Sequence, residues 1–463
     1  MKTSESMSSH CIPDPHVGHL YSIVLADSLK RWQVLRGRRA LFCTGTDEHG
    51  AKVQQAASKN GVSPKELCDT NSAVFKQLAE AARVSNDFFI RTTDQDHVEA
   101  VKHFWLMLRE KGHIYESTHA GWYCVSDECF YPESTVERTV DPFSGRVIMA
   151  STETGNEVEW IEEKNYHFRM TALKDKLLKF YEENPTWVHP PTRMNEVTSW
   201  VKDSLDDLSI SRPSKRLTWG IEVPDDPSQV IYVWVDALIN YITKAGYPGW
   251  TPGREQEGGW PADVHVIGKD ILRFHCVYWP ALLLALDLPL PKAVLSHAHW
   301  TMDRKKMSKS RGNAVNPFDA MERFGVDVVR FYLLHEGGIA DDADYNNIAI
   351  VDKYKKLLQW GIGNLTSRVT SPKMWNLTEV VEYAHAHPGS ESVPRDLYVE
   401  QRKLIDELPG KVALAMEEAT DPPRAIRAIV HAAGEVRIFI LFVPPRVLFP
   451  LTFAHRPKSS TRN

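Results

Sequence analysis

The chain has 463 residues, of which 43% are hydrophobic and 25% are charged, a balance typical of a globular protein with a filled core. Its net charge of -5 and pI of about 6.4 exclude a global positive field, so a nucleic-acid partner requires a local basic patch. No apolar run reaches membrane-spanning length, so no membrane association is expected, and six scattered cysteines favour free thiols in a reducing compartment. The opening MKTSESMSSH has neither an apolar signal core nor an Arg-rich amphipathic pattern, so it indicates no compartment.

The first part of the chain alternates helix and strand patterns. Apolar residues at helical spacing predict a helix that starts at Val17 and ends at Gly37. The run Ala40–Cys43 predicts a short buried strand that opens into the acidic loop GTDEHG. Helical patterns then continue from Pro64 to Gly112. This order of elements indicates an α/β unit.

The middle of the chain interrupts that pattern. Periodicity falls from Tyr115 to about Pro224, which indicates an inserted, irregular subdomain. Regular patterns then return, and the predicted elements are a strand over Val230–Val235 with a helix after it, a strand from Val264 to a polar loop at Gly268, the apolar helix FHCVYWPALLLAL and the strand AVLSHAHW. These steps again fit an α/β sheet.

The C-terminal part is helical in pattern. From Asp352 onward, apolar residues follow helical spacing and no strand pattern occurs before the far end, so we expect a separate helical domain. The tail RIFILFVPPRVLFPLTF does not fit this domain, because it is apolar, β-prone and broken by proline. The sequence contains no internal repeats.

Two histidines stand at the start of the first predicted helix. His16 and His19 flank Gly18, so both imidazoles can share a face near the electropositive helix N-terminus, a geometry that suits a phosphate. The alternative is an ordinary helix start with two surface histidines. A metal site is less well supported, because no third ligand follows at a recognisable spacing.

A basic loop, DRKKMSKSRGN, follows the last predicted strand of the α/β region. Its five Lys and Arg residues repel one another, so the arrangement adds no stability to a solvated loop and favours a polyanionic partner. The alternative is a solvated charge cluster without a ligand.

The two phosphate motifs occur together. An HxGH at the first helix and a KMSKS after the last strand form the two-part signature of the class I aminoacyl-tRNA synthetases, which the chain resembles in PHVGHLYS and in KMSKS from Lys306 to Ser310. The phrases GTDEHG, YVWVDALINY, IGKDILRFH and KMSKSRGN resemble methionyl-tRNA synthetases, and GWYCVSDECFYPE resembles their mitochondrial branch. The resemblance runs from about Pro15 to about Ala433.

The resemblance implies a fold and a division of the chain. The expected fold is α/β: a Rossmann-type catalytic domain with an inserted connective subdomain, followed by an α-helical anticodon-binding domain. The expected segments are 1–114 for the first catalytic half, 115–225 for the insert, 226–300 for the second half, 301–350 for the KMSKS loop and stem-contact region, and 351–463 for the anticodon-binding domain.

The resemblance also implies the chemistry. The methionine carboxylate attacks the α-phosphate of MgATP, pyrophosphate leaves, and the methionyl group then passes to the terminal adenosine of tRNA(Met). Catalysis would rest on positioning and charge stabilisation by His16, His19, Lys306 and Lys309. The residues implied to contact ATP are His16, Gly18, His19, Gly268, Asp270, Lys306, Ser308 and Lys309.

Two further sets of residues take roles by resemblance. Asp47 would accept the methionine ammonium, and the thioether pocket would be lined by Trp234, Tyr241 and His297. Plain core packing is the alternative for the two aromatic residues. Asn364 and Arg368, four residues apart on one helix face, would read the anticodon, with a polar surface pair as the alternative.

The sequence departs from the family at three places. Only Cys124 and Cys129 remain of the paired cysteines that hold zinc in many members, so we expect no zinc. MKTSESMSSHCIPD stands where the family has its first, central strand, and RIFILFVPPRV replaces the last helices after Gly434. A lost central strand would leave interior ladder groups unpaired, at about 1 to 3 kcal/mol for each group.

Three hypotheses follow. The first is a mitochondrial-type methionine–tRNA ligase, expected in the mitochondrial matrix and as a monomer by family resemblance. The second is a truncated, catalytically inactive isoform that keeps weak ATP or tRNA binding, and the altered N-terminus is the feature that favours it. The third, a class I synthetase for leucine or valine, is disfavoured because the insert is too short for an editing domain.

Overall fold

A computed structural model of the chain describes residues 15–125, 129–141, 145–250, 253–307, 312–371, 376–386 and 399–442. The chain divides into two compact units. The first unit contains the chain up to His299 together with segments 312–318 and 339–341, and the second contains Trp300–Met307, 319–338 and the part described from Asp342 onward.

Helices form most of the described chain. The helices up to His299 are α1 (Val17–Leu35), α2 (Ala51–Asn60), α3 (Pro64–Ala81), α4 (Gln95–Glu110), α5 (Lys174–Glu183), α6 (Pro191–Ser204), α7 (Val233–Thr243) and α8 (Trp279–Ala285). The later helices are α9 (Pro317–Phe324), α10 (Val326–Glu336), α11 (Asn347–Lys353), α12 (Asn364–Thr370), α13 (Leu377–Ala386), α14 (Val399–Ala413) and α15 (Pro422–Phe442). Three π-helical stretches occur among the described residues: Phe274–Tyr278 and Tyr354–Gly363 precede α8 and α12, and Leu414–Glu418 follows α14.

The strands are short, with two exceptions. They are β1 (Cys43–Thr46), β2 (Phe88–Arg91), β3 (Ile114–Cys124), β4 (Cys129–Tyr131), β5 (Val136–Val140), β6 (Val147–Ser151), β7 (Glu159–Phe168), β8 (Val188–His189), β9 (Leu208–Ser209), β10 (Ser211–Pro213), β11 (Glu222–Val223), β12 (Asp226–Ile231), β13 (His265–Gly268), β14 (Val294–His297), β15 (Trp300–Met302), β16 (Lys305–Lys306) and β17 (Ala343–Asp344).

Helix α1 forms where the sequence predicts it. Leu20, Tyr21 and Val24 are buried at helical spacing, and the chain leaves the helix at Gly37, whose φ of 75° lies in the left-handed region that glycine adopts without strain. Only the last turn is shorter than predicted, because the helix ends at Leu35. The helix prediction from Val17 is confirmed.

Parallel strands form the frame of the first unit. β1 pairs with β2, and β14 lies between β13 and β8, all in parallel. Within the described residues, β1 and β13 each pair with one neighbouring strand. The predicted loss of a first strand concerns residues 1–14, which lie outside the described part of the chain. Parallel strands joined through helices confirm the α/β class.

Several boundaries differ from the sequence prediction. β1 starts at Cys43, three residues after the predicted start, and β2 interrupts a stretch that was predicted to be helical. The predicted strand Val230–Val235 is also wrong in part, because helix α7 begins at Val233. Short apolar runs do not separate strand from helix by periodicity, so these boundaries depend on tertiary packing.

The stretch predicted to be irregular is largely regular. β3 and β7 form an antiparallel ribbon in register from Ile114 opposite Phe168 to Tyr123 opposite Glu159. Two helices, α5 and α6, then follow, and β8 between them joins the parallel sheet beside β14. The periodicity is weak here because much of the ribbon is solvent-exposed, which weakens the alternation of apolar and polar residues.

One large core positions the site. Helices α4, α7 and α8 meet in a cluster whose largest wholly buried side chains include Phe104, Trp105 and Trp279. The same cluster contains Ile267 of β13 and Val294 of β14. Helix α7 and the ends of these two strands are therefore fixed by close packing, which transmits small displacements.

The second unit combines a small sheet with helices. β15 pairs with β16 in antiparallel and with β17 in parallel register. The prediction of a helical C-terminal region is confirmed by α11 to α15. The β-prone reading of the tail is wrong over residues 437–442, which continue α15 to Phe442, and the rest of the tail lies outside the described residues. Among the described residues, no helix has the length and apolar character needed to cross a bilayer.

Candidate active site

Two histidines form the N-terminus of α1. The Nδ1 atom of His16 accepts from the backbone N–H of Gly18 at 3.0 Å, and His19 Nδ1 accepts from the N–H of His16 at 3.1 Å. The rings stack with centroids 3.9 Å apart. Since a neutral imidazole that accepts at Nδ1 carries its proton on Nε2, each ring presents a donor at Nε2. The structure thus brings together the two histidines that the sequence predicts.

Gly18 is required by this cap. A Cβ atom at position 18 would lie 2.8 Å from Cε1 of His16, closer than real side-chain contacts allow. The backbone N–H of Val17 also donates to the carbonyl of Val315 at 3.1 Å. The start of α1 is therefore tied to the segment that follows the basic loop.

Most of the basic loop lies outside the described residues. The backbone of Lys306 belongs to β16 and pairs with Thr301 of β15, but the side chain of Lys306 is not described. Ser308 and Lys309 also lie outside the described part of the chain. Their assignment to the ATP phosphates stays a prediction.

The acidic loop after β1 combines one exposed and two buried side chains. Asp47 is exposed, whereas Glu48 and His49 are buried. Arg91 of β2 donates to both carboxylate oxygens of Glu48, at 2.7 and 2.9 Å. Bidentate pairs of this kind are strong and directional, so they fix the loop on the side of β2.

A second buried contact fixes the same loop to α7. One carboxylate oxygen of Asp236 lies 2.6 Å from His49 Nδ1, and the other lies 2.7 Å from Nε2 of His97 on α4. Asp236 is wholly buried. Burial opposes its ionised form, but the hydrogen bonds and charges of the two histidines outweigh that effect and lower its pKa.

Trp234 and Tyr241 lie on α7, seven residues apart. The Trp234 ring stacks on Phe274, with centroids 3.8 Å apart and planes at 10°. The Tyr241 ring stacks on His265, with centroids 4.1 Å apart, and its hydroxyl lies 2.7 Å from Nε2 of His275. Both predicted pocket residues therefore sit in one aromatic cluster, held by neighbours on β13 and the π-helical turn.

The histidine beside Tyr241 is neutral. Burial lowers the pKa of His275 to about 4, although a hydrogen bond to the Ile271 carbonyl works in the other direction. Its Nδ1 donates to that carbonyl at 2.9 Å, so Nε2 accepts from the Tyr241 hydroxyl. The phenol hydroxyl is thereby occupied within the cluster.

The charge of Asp47 acts on the pKa of Tyr241, so the two side chains lie near each other. Burial raises the pKa of Tyr241, and the charges of Cys43 and Asp47 raise it further. The exposed carboxylate and the aromatic cluster on α7 thus belong to one region of the first unit.

His297 ends β14 and joins it to α1. Its Nδ1 donates to the Ala298 carbonyl at 2.8 Å, so its Nε2 accepts from the Ser22 hydroxyl at 2.7 Å. Tyr21 meets the same ring edge-on, with centroids 5.0 Å apart. Burial lowers the pKa of His297 to about 4. His297, itself a predicted pocket residue, is therefore joined to the helix that carries His16 and His19.

The predicted ribose contact lies at the end of the neighbouring strand. Gly268 stands opposite His297 in the register of β13 and β14. The Asp270 side chain is half exposed, and one of its carboxylate oxygens lies 3.0 Å from Nε2 of His299. Both residues stand at the carboxyl ends of parallel strands, where α/β sheets bind ligands.

Asn364 and Arg368 share a face of α12 in the second unit. The side-chain oxygen of Asn364 accepts from Nε of Arg368 at 2.8 Å. The pair is therefore ordered before any ligand binds, and the two residues lie together as the sequence predicts.

The described residues contain no group of three or more side chains suited to hold a metal ion. Cys124 and Cys129 stand opposite each other in the backbone register of β3 and β4, and the side chain of Cys129 is outside the described set. The expectation of no zinc stays a prediction.

Sequence reasoning missed several residues of the site. His49 and Asp236 lie inside the quoted motifs GTDEHG and YVWVDALINY, yet their pairing was not predicted. Ser22 and His97 carried no local signal. A polar residue at a position that helical spacing marks as buried, as at Asp236, is the signal that could have found the network.

A known protein family matches most of this chain. The family described as "tRNA synthetases class I (M)" matches residues 11–370, well over half of the sequence. The chain belongs to this family. The resemblance predicted from the two phosphate motifs is therefore confirmed.

Curated relatives of this chain are named for methionine. A "Probable methionine--tRNA ligase, mitochondrial" of Neurospora crassa is 63% identical over 438 residues, which cover 94% of this chain and 70% of the relative. A protein of the same name from Schizosaccharomyces pombe is 45% identical, covering 85% of this chain and 72% of the relative. The suspected mitochondrial methionyl-tRNA synthetase type is confirmed by this likeness.

A solved structure supports the fold. The Mycobacterium tuberculosis methionyl-tRNA synthetase bound by methionyl-adenylate matches with a TM-score of 0.84 and 40% identity, covering 96% of this chain and 84% of that one. The predicted fold class is thus confirmed. The roles of individual residues stay predictions.

Proposed function

We propose that the chain is a methionine–tRNA ligase that activates methionine with ATP and transfers it to tRNA(Met). The observation that carries this proposal is the Ser22–His297 bond, which joins the helix that carries His16 and His19 to the end of β14, where the predicted pocket residue His297 stands. Residues proposed for the phosphates and for methionine thus lie on adjacent elements, as adenylate formation requires.

The first step joins methionine to AMP. A carboxylate oxygen of methionine attacks the α-phosphorus of the MgATP substrate, the bond to the bridging oxygen breaks, and pyrophosphate leaves with its electron pair. No side chain has to form a covalent bond. The Nε2–H groups of His16 and His19 donate to the phosphates as negative charge spreads, and the N-terminus of α1 adds its positive end.

Methionine is selected by shape and polarizability. Asp47 accepts the ammonium group, while the rings of Trp234 and Tyr241 contact the thioether sulfur, each contact contributing about 0.3 to 1.5 kcal/mol. Because the Tyr241 hydroxyl is bound to His275 and because His297 is neutral, the pocket presents apolar surface without a net charge. A thioether binds there without leaving the Tyr241 hydroxyl unpaired, because that hydroxyl is already bonded to His275.

The nucleotide is held beside this pocket. Gly268 allows close approach of the adenosine, and Asp270 accepts from the ribose hydroxyls. Lys306, Ser308 and Lys309 close over the pyrophosphate, since ammonium groups and a hydroxyl suit a leaving polyanion. We infer MgATP as the substrate complex and no bound zinc.

The second step takes place on tRNA. We assign segments 1–114 and 226–300 to the catalytic domain, 115–225 to the connective subdomain, 301–350 to the region that contacts the tRNA stem, and 351–463 to the anticodon-binding domain. Asn364 and Arg368 read splayed-out anticodon bases by hydrogen bonding and stacking. Their mutual hydrogen bond supports this role, because a pre-ordered pair loses less entropy on binding.

We place the protein in the mitochondrial matrix, as a monomer. The names of the relatives from two fungi support the compartment. The reading as an inactive isoform has no comparable support, because the described parts of the phosphate and methionine sites are assembled and hydrogen-bonded.

Methionine-dependent ATP–pyrophosphate exchange on the purified chain tests the proposal. Exchange that disappears in the Lys306→Ala variant is the expected result, because that lysine acts on the leaving group. A folded chain without exchange would contradict the proposed function and favour the inactive isoform. Exchange with leucine in place of methionine would favour the third hypothesis.

A further inference from the structure

Asp236 bridges three elements inside the first unit. Its two carboxylate oxygens contact His49 in the loop after β1 and His97 on α4, at 2.6 and 2.7 Å. The other ring nitrogen of His97 lies 3.1 Å from the hydroxyl of Thr243, on the last turn of α7. All four side chains are buried, so each of these bonds is made in surroundings where its loss is costly.

Asp47 lies in the same short loop, and its side chain is exposed. Its two successors in the sequence are both fixed: Glu48 by Arg91 and His49 by Asp236. The loop has no regular secondary structure of its own at these positions, so these side-chain contacts set where the Asp47 carboxylate stands.

The bridge ends on α7, the helix that carries the proposed pocket residues. Asp236 follows Trp234 by two residues and precedes Tyr241 by five on α7. A contact that ties the Asp47 loop to Asp236 therefore fixes the distance between the carboxylate for the ammonium group and the aromatic walls for the thioether. In methionine itself, the ammonium group and the thioether are separated by a short run of carbon atoms, so the two protein groups that bind them need a matching separation.

We propose that the His49–Asp236–His97 bridge is a positioning device that sets the spacing between Asp47 and the aromatic pocket, and so determines recognition of the methionine ammonium group. The inference rests on the proposed function, since it assigns Asp47 to that ammonium. The three bridge residues do not contact the substrate. They act through the loop and the helix that they join.

The electrostatic surroundings agree with this role. Burial works against protonation of His49, but the hydrogen bond and charge of Asp236, together with the charges of Asp47 and Glu48, raise its pKa. The Trp219 ring lies beside the His49 ring, with centroids 5.5 Å apart and planes at 59°. His49 is thereby held as a donor to Asp236, which keeps the bridge closed.

The test uses two bridge variants and one matched control in the full chain. Asp236→Asn keeps the shape but removes the charge, and His97→Gln changes a residue whose ring is hydrogen-bonded to Asp236 and to Thr243. The control is His103→Gln, on the same helix α4, whose ring contacts the Tyr247 hydroxyl instead. Thermal unfolding establishes that each variant folds. If Asp236→Asn does not fold, the kinetic constants of His97→Gln decide the positioning role.

The readout separates ammonium recognition from general damage. We expect the bridge variants to raise the KM for methionine about tenfold or more in pyrophosphate exchange, with the KM for ATP within about twofold. The inhibition constant of 4-(methylthio)butanoate, which is methionine without its amino group, stays within about twofold, because this probe never used Asp47. His103→Gln leaves all three constants near those of the unaltered chain.

Two results would overturn the positioning role. One is a parallel loss for methionine and for 4-(methylthio)butanoate, which would show a general deformation of the pocket. The other is no change in any constant. If the unaltered chain shows no exchange, the proposed activity fails separately, and calorimetric binding of methionine and 4-(methylthio)butanoate to the same variants decides the positioning role. A chain that binds no methionine would overturn both.

Discussion

The proposed methionine side and the proposed phosphate side of the site are built differently. On the methionine side, His297 is 4% exposed, and the rings of Tyr241 and Trp234 are each stacked on a neighbour within the core. On the phosphate side, His16 and His19 are only partly buried and depend on a helix end for their placement.

The difference follows from the chemistry of the two ligands. A thioether offers no charge and only a weak acceptor, so it is recognised by rigid walls that exclude water. A triphosphate is a polyanion, which helix N-termini and directed donors attract through partly solvated contacts. Changes on the phosphate side should therefore lower the rate, whereas changes on the methionine side should raise the KM.

His19→Ala should have the largest effect. Loss of one donor to the developing phosphate charge lowers kcat for pyrophosphate exchange about 10²- to 10³-fold. The KM for methionine should stay unchanged, because the ring does not belong to the aromatic cluster. Exchange kinetics with varied methionine measure both constants.

The control for His19→Ala is thermal unfolding, because the variant also removes part of the α1 cap, which stabilises the protein by about 1 kcal/mol. An unchanged kcat with a raised KM for methionine would show that the two sides of the site are not separated in this way.

Trp234→Ala tests the opposite side. Removing the indole that stacks on Phe274 opens one wall of the pocket, and the KM for methionine should rise about 10- to 100-fold with little change in the KM for ATP. Trp234→Phe keeps an aromatic ring against Phe274 and should lose much less. Equal losses for both substitutions would show that packing volume, and not an aromatic wall, is required.

Arg368→Ala tests whether the second unit acts on tRNA alone. The variant loses a guanidinium that stacks on or bonds to a base, so kcat/KM for charging of tRNA(Met) should fall about tenfold or more. Pyrophosphate exchange without tRNA should stay unchanged. Arg402→Ala, an exposed arginine on α14, is the matched control. A loss of exchange in Arg368→Ala would contradict the assignment.

The smallest effect concerns stability at low pH. Burial lowers the pKa of His265 to about 3 and that of His297 to about 4, from a usual 6.5. Between these pKa values the unfolded chain binds more protons than the folded chain. The contribution of the two neutral histidines to the free energy of unfolding is therefore fully present above about pH 6.5 and is lost as the pH falls toward 4. Both ring nitrogens of His265 are buried without a hydrogen-bond partner among the described residues.

His265→Phe removes the buried, protonatable imidazole and keeps a ring on which Tyr241 can stack. At pH 5 the variant should unfold with a free energy about 1 to 3 kcal/mol higher than the unaltered chain, and the gain should shrink toward neutral pH. Denaturant unfolding at a series of pH values measures this. A gain that does not depend on pH would assign the effect to packing alone.

Local signals in the sequence predicted local parts of the site. His16 and His19 were found because a helix start, a glycine and two imidazoles lie within four residues. The strand at His265–Gly268 and the apolar helix after it were found because their periodicity is strong. The two-residue strand β8 was missed because a segment that short carries no period.

The buried bridge could not be found in this way. His49 and Asp236 are 187 positions apart, and His97 and Asp236 are 139 apart. Helical spacing marks Asp236 as a buried polar residue, but nothing local reports which side chains meet it. The packing of α4 against α7 brings His97 to Asp236, and the position of the loop after β1 brings His49 to the same carboxylate.

The sequence by itself determined the family and the fold class, and it predicted the residues that face phosphate, because these depend on short motifs and on the order of helices and strands. The tertiary structure alone decided which polar side chains are buried against each other, how Ser22 joins α1 to β14, and how Glu48 and His49 fix the loop that contains Asp47. The physical reason is that a buried hydrogen bond depends on the positions of both partners, and those positions are set by the close packing of elements distant in sequence.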